Sequence, residues 1–285
     1  MTDPDAHEVI GPIATARKSI EGLSIRYAED RRTATGTPIL LTTPFPESLF
    51  AFLPVWDDFA ALGPILAVDL PGFGRSDGRE EVMSPSAMGA FLLRILDAFE
   101  LERVHAVVPD VGTLAALFAA STHPERFASI VAGSGGVDMG LLGEPLAQIA
   151  YSSRADFDGV DGGPQVVALV RQMARRVLPD EVIEDYRLAA SGDRWNKAAD
   201  FVRAYPRDLP RLAELLPDIH VPVLVISGSD DPFVPPSNGE FLERHLPRCE
   251  AQVIEAGHFV WEDAPGDYAQ LATDWIKRLE AEMPT

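Results

Sequence analysis

The sequence contains few of the groups that cross-link chains, bind metals or hold nucleotides. Cys249 is the only cysteine, which excludes a disulfide framework and a thiolate metal cluster. The histidines show no H-x-H or H-E-x-x-H spacing, and no G-x-G-x-x-G motif follows a predicted strand. We therefore predict no metal site and expect no cofactor.

Long apolar runs and positive charge are also scarce. The N-terminal stretch has no signal-peptide core, and no uninterrupted apolar run reaches the roughly 18 residues of a membrane span. Only 24 Lys and Arg accompany 44 Asp and Glu, so the formal net charge is −20, which repels phosphate backbones and anionic membranes. We expect a soluble, cytoplasmic protein that acts on a small neutral molecule and binds neither nucleic acid nor membrane. The oligomeric state stays open.

Short apolar runs alternate with helical patterns along most of the chain. The runs at 39–44, 65–71, 104–109, 127–136, 221–232 and 250–257 read as buried strands, and 84–101 and 113–124 as helices. Nearly continuous Val, Ile and Leu in strands that alternate with helices predict an α/β fold with a mostly parallel sheet covered on both faces.

The alternation fails between residues 138 and 217, where helical segments follow one another without a clear strand. This interruption predicts a helical cap domain at 138–217, inserted into a core domain formed by 1–137 and 218–285. The cap would lie over the carboxyl ends of the strands, which is where open parallel sheets bind their ligands.

Three loops at those strand ends carry the residues of a possible active site. VVPDVGT places Asp110 between a strand and a helix, GSDDPFVP contains Asp231, and AGHFVWEDAP contains His258. Alternatives remain for the two acids. Asp110 could simply cap the following helix, because aspartate is a preferred N-cap residue, and Asp138, which follows an earlier strand, competes with Asp231.

In this order and spacing the chain resembles the α/β-hydrolase superfamily, whose members carry nucleophile, acid and histidine in that sequence. DLPGFGRSD (69–77) is similar to the glycine-rich loop of the same family, so the likeness extends over nearly the whole chain. The resemblance implies an α/β-hydrolase fold and assigns Asp110, Asp231 and His258 to the catalytic triad. Val108 departs from the usual G-x-nucleophile-x-G pattern, and Gly112 keeps it.

An aspartate in place of the usual serine resembles epoxide hydrolases, haloalkane dehalogenases and fluoroacetate-type dehalogenases. A carboxylate can displace a leaving group from saturated carbon and become an alkyl ester. His258 would then activate the water that hydrolyses this ester, with Asp231 orienting the imidazole. The backbone N–H groups of Phe45 and Val111 match the family's oxyanion hole, although Thr43 and Pro44 replace its His-Gly pair.

The departing group separates these families. Haloalkane dehalogenases place side-chain N–H donors for the halide directly after the nucleophile and near the oxyanion hole, where this chain has Val111 and Phe45, whose side chains donate no hydrogen bond. Fluoroacetate-type dehalogenases bind the substrate carboxylate through arginines beside the nucleophile, where this chain has Val111, Thr113 and Leu114. Epoxide hydrolases use cap tyrosines, for which Tyr205 is the nearest match and Tyr151 a looser one. We therefore expect a cofactor-independent epoxide hydrolase for a neutral, largely apolar substrate. A haloalkane dehalogenase and a non-hydrolytic relative (a cyclase, lyase or ligand-binding protein) are the alternatives.

Overall fold

A nine-stranded sheet runs through the computed structural model, which describes residues 8–282. The strands follow the spatial order β1-β2-β3-β5-β4-β6-β7-β8-β9. Those at the β1 end are antiparallel and those from β5 to β9 are parallel. Their bounds are β1 Val9–Ile10, β2 Ile13–Ile20, β3 Leu23–Asp30, β4 Ile39–Thr42, β5 Ile65–Val68, β6 Val104–Val107, β7 Phe127–Ala132, β8 Val223–Gly228 and β9 Cys249–Ile254.

Helices cover both faces of this sheet. The α-helices are α1 Trp56–Ala60, α2 Pro85–Ala98, α3 Val111–Thr122, α4 Glu144–Ala150, α5 Gly162–Met173, α6 Asp180–Ala190, α7 Arg194–Ala198, α8 Asp200–Arg203, α9 Tyr205–Leu215, α10 Ser237–His245, α11 Val260–Asp263 and α12 Pro265–Glu282. None of those within residues 8–282 has the length and apolar character needed to cross a bilayer.

The central parallel strands are buried along their whole length, as their composition predicts. Every residue of β4, β5, β6, β7 and β8 is buried. Two apolar clusters flank the sheet: α2 and α3 pack into one, and α1 and α12 into the other. The prediction of an α/β-hydrolase fold with a mostly parallel sheet is confirmed.

Strands β1 to β3 were not predicted, because polar residues interrupt the alternation of apolar ones. In β2, Arg17 and Lys18 occupy the middle of the strand. The turn between β2 and β3 is the signal that could have revealed them. Ile20 pairs with Leu23, so only Glu21 and Gly22 connect these two strands, and both residues have positive φ. Such two-residue loops with left-handed backbone are typical of tight hairpins.

Only helices occupy the chain between β7 and β8. They contribute side chains to the cavity above Asp110, described below, so this segment covers the carboxyl ends of the parallel strands. The division into a core domain and a cap domain with bounds at 138 and 217 stays a prediction.

Candidate active site

Asp110 occupies a sharp bend between β6 and α3. Its backbone has φ 55° and ψ −122°, a conformation that residues other than glycine rarely adopt. The bend also requires Gly112, because a Cβ at that position would lie 2.1 Å from Oγ1 of Thr42. Val108 is accommodated at the first position of the motif and is fully buried. The local structure therefore holds Asp110 in a strained backbone conformation, and such strain is common at functional sites.

The carboxylate of Asp110 does not cap α3. No side-chain capping hydrogen bond is formed at this helix. Instead, the N–H of Phe45 donates to Oδ2 of Asp110 over 2.5 Å, and the N–H of Val111 lies close enough to the carboxylate to lower its pKa. The two amides predicted as an oxyanion hole thus converge on the side chain predicted as the nucleophile.

Burial sets the protonation of Asp110. Removal from water raises the pKa of Asp110 to about 6, against the opposing effects of the His258 charge and the two backbone N–H groups. Asp110 is 8% exposed, and it lines the cavity described below. Asp110 is consequently an anion at neutral pH, but a poorly solvated one, and poor solvation favours reaction of a carboxylate with a carbon centre.

His258 and Asp231 form a buried pair. Nδ1 of His258 lies 2.8 Å from Oδ2 of Asp231, and the other oxygen of Asp231 accepts hydrogen bonds from the N–H groups of Phe233 and Val234. Burial disfavours the charged imidazole, but the charge and hydrogen bond of Asp231 outweigh burial and raise the pKa of His258. With Nδ1 on Asp231, Nε2 is the nitrogen left for a water molecule.

Asp138, which competes with Asp231 for the role of triad acid, and Asp230, the neighbour of Asp231, form other contacts. Oδ1 of Asp138 accepts from the N–H of Gly140 and caps a short 3-10 helix, Met139–Leu141. Asp230 points outward, where it forms an ion pair with Arg175. Of these three acids, the structure brings only Asp231 to His258.

The loop that carries Phe45 is anchored without the family's His-Gly pair. Oγ1 of Thr43 lies 2.8 Å from the carbonyl oxygen of Val68 and 2.6 Å from Oδ1 of Asp69, and its single hydrogen can be donated to either acceptor. The N–H of Leu49 donates to the same Asp69 oxygen, at 2.8 Å. Asp69 therefore fixes both sides of the loop, and Pro44 does not prevent Phe45 from presenting its N–H.

Asp110 and His258 line one cavity of about 60 Å³, which has room for a few water molecules. Apart from these two residues and the indole of Trp195, its walls are apolar. The lining residues are Phe45, Pro46, Asp110, Leu146, Ile149, Leu169, Trp195, Val202, Phe233, His258 and Phe259. This composition fits a small, neutral, largely apolar ligand. Within residues 8–282 no three His, Cys, Asp or Glu side chains come together as metal ligands would.

The predicted cap tyrosines differ sharply in position. Neither Tyr151 nor Tyr205 is among the cavity-lining residues, and both roles stay predictions. Tyr151 is 73% exposed at the end of α4, a position that does not favour a role as an acid. Tyr205 is 1% exposed, at the start of α9. Burial and the nearby charge of Asp110 raise the pKa of Tyr205 well above its ordinary value, and its hydroxyl bonds to no other residue within 8–282.

Trp195 is a site residue that the sequence did not single out. It lines the cavity from α7 and stacks on Phe45, with ring centroids 6.1 Å apart. Its indole N–H donates to no other residue of the described chain. No motif marks this tryptophan, because its place depends on how the short helix α7 lies against the oxyanion loop.

Comparisons with known proteins agree with this architecture. A family model described as alpha/beta hydrolase fold matches residues 64–265. A 2-hydroxy-6-oxononadienedioate/2-hydroxy-6-oxononatrienedioate hydrolase of Burkholderia vietnamiensis is 31% identical over 78% of this chain and 80% of its own. The 3-oxoadipate enol-lactonase 1 of Acinetobacter baylyi is 25% identical over 76% and 79%.

Solved structures share the fold at lower identity. The haloalkane dehalogenase DbeA of Bradyrhizobium elkani superimposes with a TM-score of 0.77 at 18% identity and covers 95% of this chain and 100% of its own. The epoxide hydrolase CorEH superimposes with a TM-score of 0.76 at 18% identity, over 94% and 99%. Likeness at this level extends to the fold alone.

Proposed function

The chain belongs to the alpha/beta hydrolase fold family, and on this premise we propose that it is a hydrolase in which Asp110 attacks saturated carbon. The observation that carries the proposal is the position of the Asp110 carboxylate, whose Oδ2 accepts a hydrogen bond from the N–H of Phe45 while the nearby N–H of Val111 also favours the ionised side chain. Hydrogen bonding of Oδ2 leaves Oδ1 as the attacking oxygen. The alkyl ester would then hold its carbonyl oxygen in the oxyanion hole from the moment it forms.

The second step regenerates the carboxylate. Nε2 of His258 takes a proton from water, and the hydroxide adds to the ester carbonyl, with the negative oxygen stabilised by Phe45 and Val111. Collapse breaks the bond between the acyl carbon and Oδ1, and the imidazolium of His258 returns its proton to that oxygen, so the product alcohol departs with the original aspartate oxygen. The carboxylate retains one oxygen from water. Asp231 stabilises the imidazolium during this step.

Epoxides are the substrate class that we favour. Attack on an epoxide carbon breaks its C–O bond and produces an alkoxide, which needs a proton before it can leave the site. Tyr205 supplies a buried hydroxyl without another partner in the described chain, near enough to Asp110 to feel its charge. Its high pKa keeps it protonated until a strongly basic alkoxide forms.

A haloalkane is the second candidate, because Trp195 lines the cavity and carries an indole N–H that could donate a hydrogen bond to a departing halide. The dicarboxylates after which the Burkholderia relative is named are less suitable. The described lining contains no Lys or Arg to pair with a carboxylate, and Asp110 would repel one.

Heavy-oxygen labelling tests the route directly. In a single turnover in H₂¹⁸O with enzyme in excess, we expect one ¹⁸O in the Asp110 carboxylate and unlabelled oxygen at the attacked product carbon. Mass spectrometry of the peptide that contains Asp110 measures the first, and product mass the second. Turnover that leaves the peptide unlabelled would rule out the ester and favour direct attack by water or a non-hydrolytic reaction.

Two conservative variants separate the substrate classes. If the substrate is an epoxide, Tyr205→Phe should slow opening of styrene oxide about 100-fold by removing the acid, while Trp195→Phe has a small effect. If the substrate is a haloalkane, Trp195→Phe should have the larger effect on the reaction with 1-bromobutane, because it removes the donor to the halide, and Tyr205→Phe the smaller one. Rapid-quench measurement of the first step gives both rates, and Tyr151→Phe serves as a surface control. Equal, small effects of both variants would contradict both assignments.

A further inference from the structure

Two buried carboxyl groups lie beside the active site without a role in the steps described above. Glu47 is 1% exposed and follows Phe45 by two positions in the oxyanion loop, and Glu262 is 2% exposed in α11, directly after the His258 loop. No Lys or Arg accounts for them, because neither residue takes part in an ion pair within residues 8–282. Unpaired carboxylates are among the costliest groups to bury, so their retention requires a physical explanation.

Within residues 8–282, the hydrogen bonds around the two groups leave one oxygen of each glutamate without a donor. The Tyr186 hydroxyl donates to Oε1 of Glu262 over 2.7 Å, and the Trp261 indole donates to Oε1 of Glu47 over 3.4 Å. Oε2 of each glutamate is buried and has no donor from any other described residue. The indole that donates to Glu47 belongs to Trp261, the residue before Glu262, so the two glutamates come from adjoining segments and their carboxyl groups influence each other's pKa. Carboxylate oxygens only accept, so they can bond to each other only through a proton.

Burial keeps that proton in place at neutral pH. It raises the pKa of Glu47 well above the ordinary value, and the neighbouring charge of Glu262 raises it further. Burial likewise raises the pKa of Glu262, to about 7, although the bonds from Glu47 and Tyr186 oppose the rise. The pair behaves as one acid with two linked dissociations, both displaced upward from the ordinary range of a glutamate.

We propose that Glu47 and Glu262 are positioning residues, whose shared proton joins the oxyanion loop to the His258 loop and, through Tyr186, to α6. The link connects the segment that presents the Phe45 N–H with the segment that presents His258, so both are held relative to Asp110. Asp69 holds the same loop at Thr43 and at Leu49, on either side of Phe45 and Glu47. The effect on turnover rests on the proposed function, and the shared proton does not.

The proton also limits the charge next to the nucleophile. The titratable groups that act on the pair are Asp110 from the bend between β6 and α3, Tyr186 from α6 and Asp263 from α11, and Asp185 in turn acts on Tyr186. Two of the charges nearest the pair, Asp110 and Asp263, are negative. Loss of the shared proton would add another negative charge and disfavour ionised Asp110.

Glutamine variants test the link because a Gln amide supplies permanently the hydrogen that the pair shares. We expect Glu47→Gln to retain kcat within about threefold at pH 7, because the hydrogen bond survives, and to flatten any fall of kcat at alkaline pH. Glu47→Leu keeps a similar volume but breaks the link, and should lower kcat about 100-fold with a smaller change in KM, since small displacements of reacting groups have costs of that size. Glu262→Gln should resemble Glu47→Gln, so the test does not depend on whether the leucine variant folds.

Asp30→Asn is the matched control. Asp30 is also buried, and its carboxylate also accepts a hydrogen bond from an indole N–H, that of Trp56, but at the amino ends of the parallel strands, away from the active site. This variant should leave kcat and its pH profile unchanged. If Glu47→Gln loses as much activity as Glu47→Leu, or neither loses any, the positioning role is overturned.

Two spectroscopic readouts need no substrate and so separate this proposal from the proposed function. Infrared spectra at pH 8 should show a protonated carboxylic acid that disappears in Glu47→Gln but persists in Asp30→Asn; absence of this band in the native protein would refute the shared proton. The ¹⁵N resonances of the His258 ring should shift in Glu47→Leu and stay in place in Glu47→Gln. Unshifted resonances in both would refute the positioning role, whatever the reaction proves to be.

Discussion

Replacement of His258 by glutamine should stop the enzyme after the first chemical step and leave Asp110 as an alkyl ester. Attack by the carboxylate needs no base, whereas hydrolysis of the ester needs the imidazole that Asp231 holds over 2.8 Å. Loss of a general base typically costs 10²- to 10⁴-fold. We expect steady-state turnover to fall by about 1,000-fold while the first step proceeds. The intact mass should then increase by that of the opened epoxide, or by the alkyl group of a haloalkane, with the modification mapped to Asp110.

His105→Gln is the control for this experiment. His105 is equally buried, but it bonds to Ser129 and Glu280, both at 2.7 Å, away from the cavity. The variant should turn over substrate and carry no adduct in the steady state. A His258→Gln protein that turns over substrate at the native rate, or that remains unmodified while product forms, would remove His258 from the second step.

Replacement of Asp110 by asparagine should abolish turnover and make the protein more stable at neutral pH. Burial raises the pKa of Asp110 from its ordinary value of 3.8 to about 6. The folded state therefore binds the proton more tightly than the unfolded state, and the native protein loses stability as the pH rises between these two values. A difference of about two pKa units corresponds to ~3 kcal/mol, the upper estimate of what the variant recovers.

The measurement is the free energy of unfolding in urea at pH 4 and at pH 8. Asp110→Asn should gain up to ~3 kcal/mol over the native protein at pH 8 and almost nothing at pH 4. The amide oxygen can still accept from Phe45, so the oxyanion loop stays in place. Asp138→Asn, at an acid outside the cavity, should show little gain at either pH. A gain of the same size at both pH values would mean that ionised Asp110 is not the source of the instability.

The sequence located the residues that depend on local structure. Asp110, Asp231 and His258 each follow a short buried strand, and parallel strands bring their carboxyl ends to one edge. Such local patterns predict the bend at Asp110, the parallel sheet and the approximate order of strands and helices. The amides of Phe45 and Val111 could be predicted for the same reason, because Phe45 follows β4 and Val111 follows β6.

The rest of the site depends on contacts between distant parts of the chain. Trp195 reaches the cavity through the packing of a five-residue helix, which no periodicity reveals. Tyr151 and Tyr205 lie in the same helical segment, and only tertiary packing decides which is buried. Glu47 and Glu262 come from opposite ends of the sequence, and either alone would be interpreted as a solvent-exposed acid.

The cavity draws its reactive groups and its walls from different parts of the chain. Asp110, His258 and the oxyanion loop come from strand ends of the sheet, whereas Leu146, Ile149, Leu169 and Val202 come from the helices between β7 and β8. Mutations in those helices can thus remodel selectivity while bond making and bond breaking stay intact. Such separation lets descendants of one ancestral catalyst diversify toward new compounds by drift in a single stretch of polypeptide.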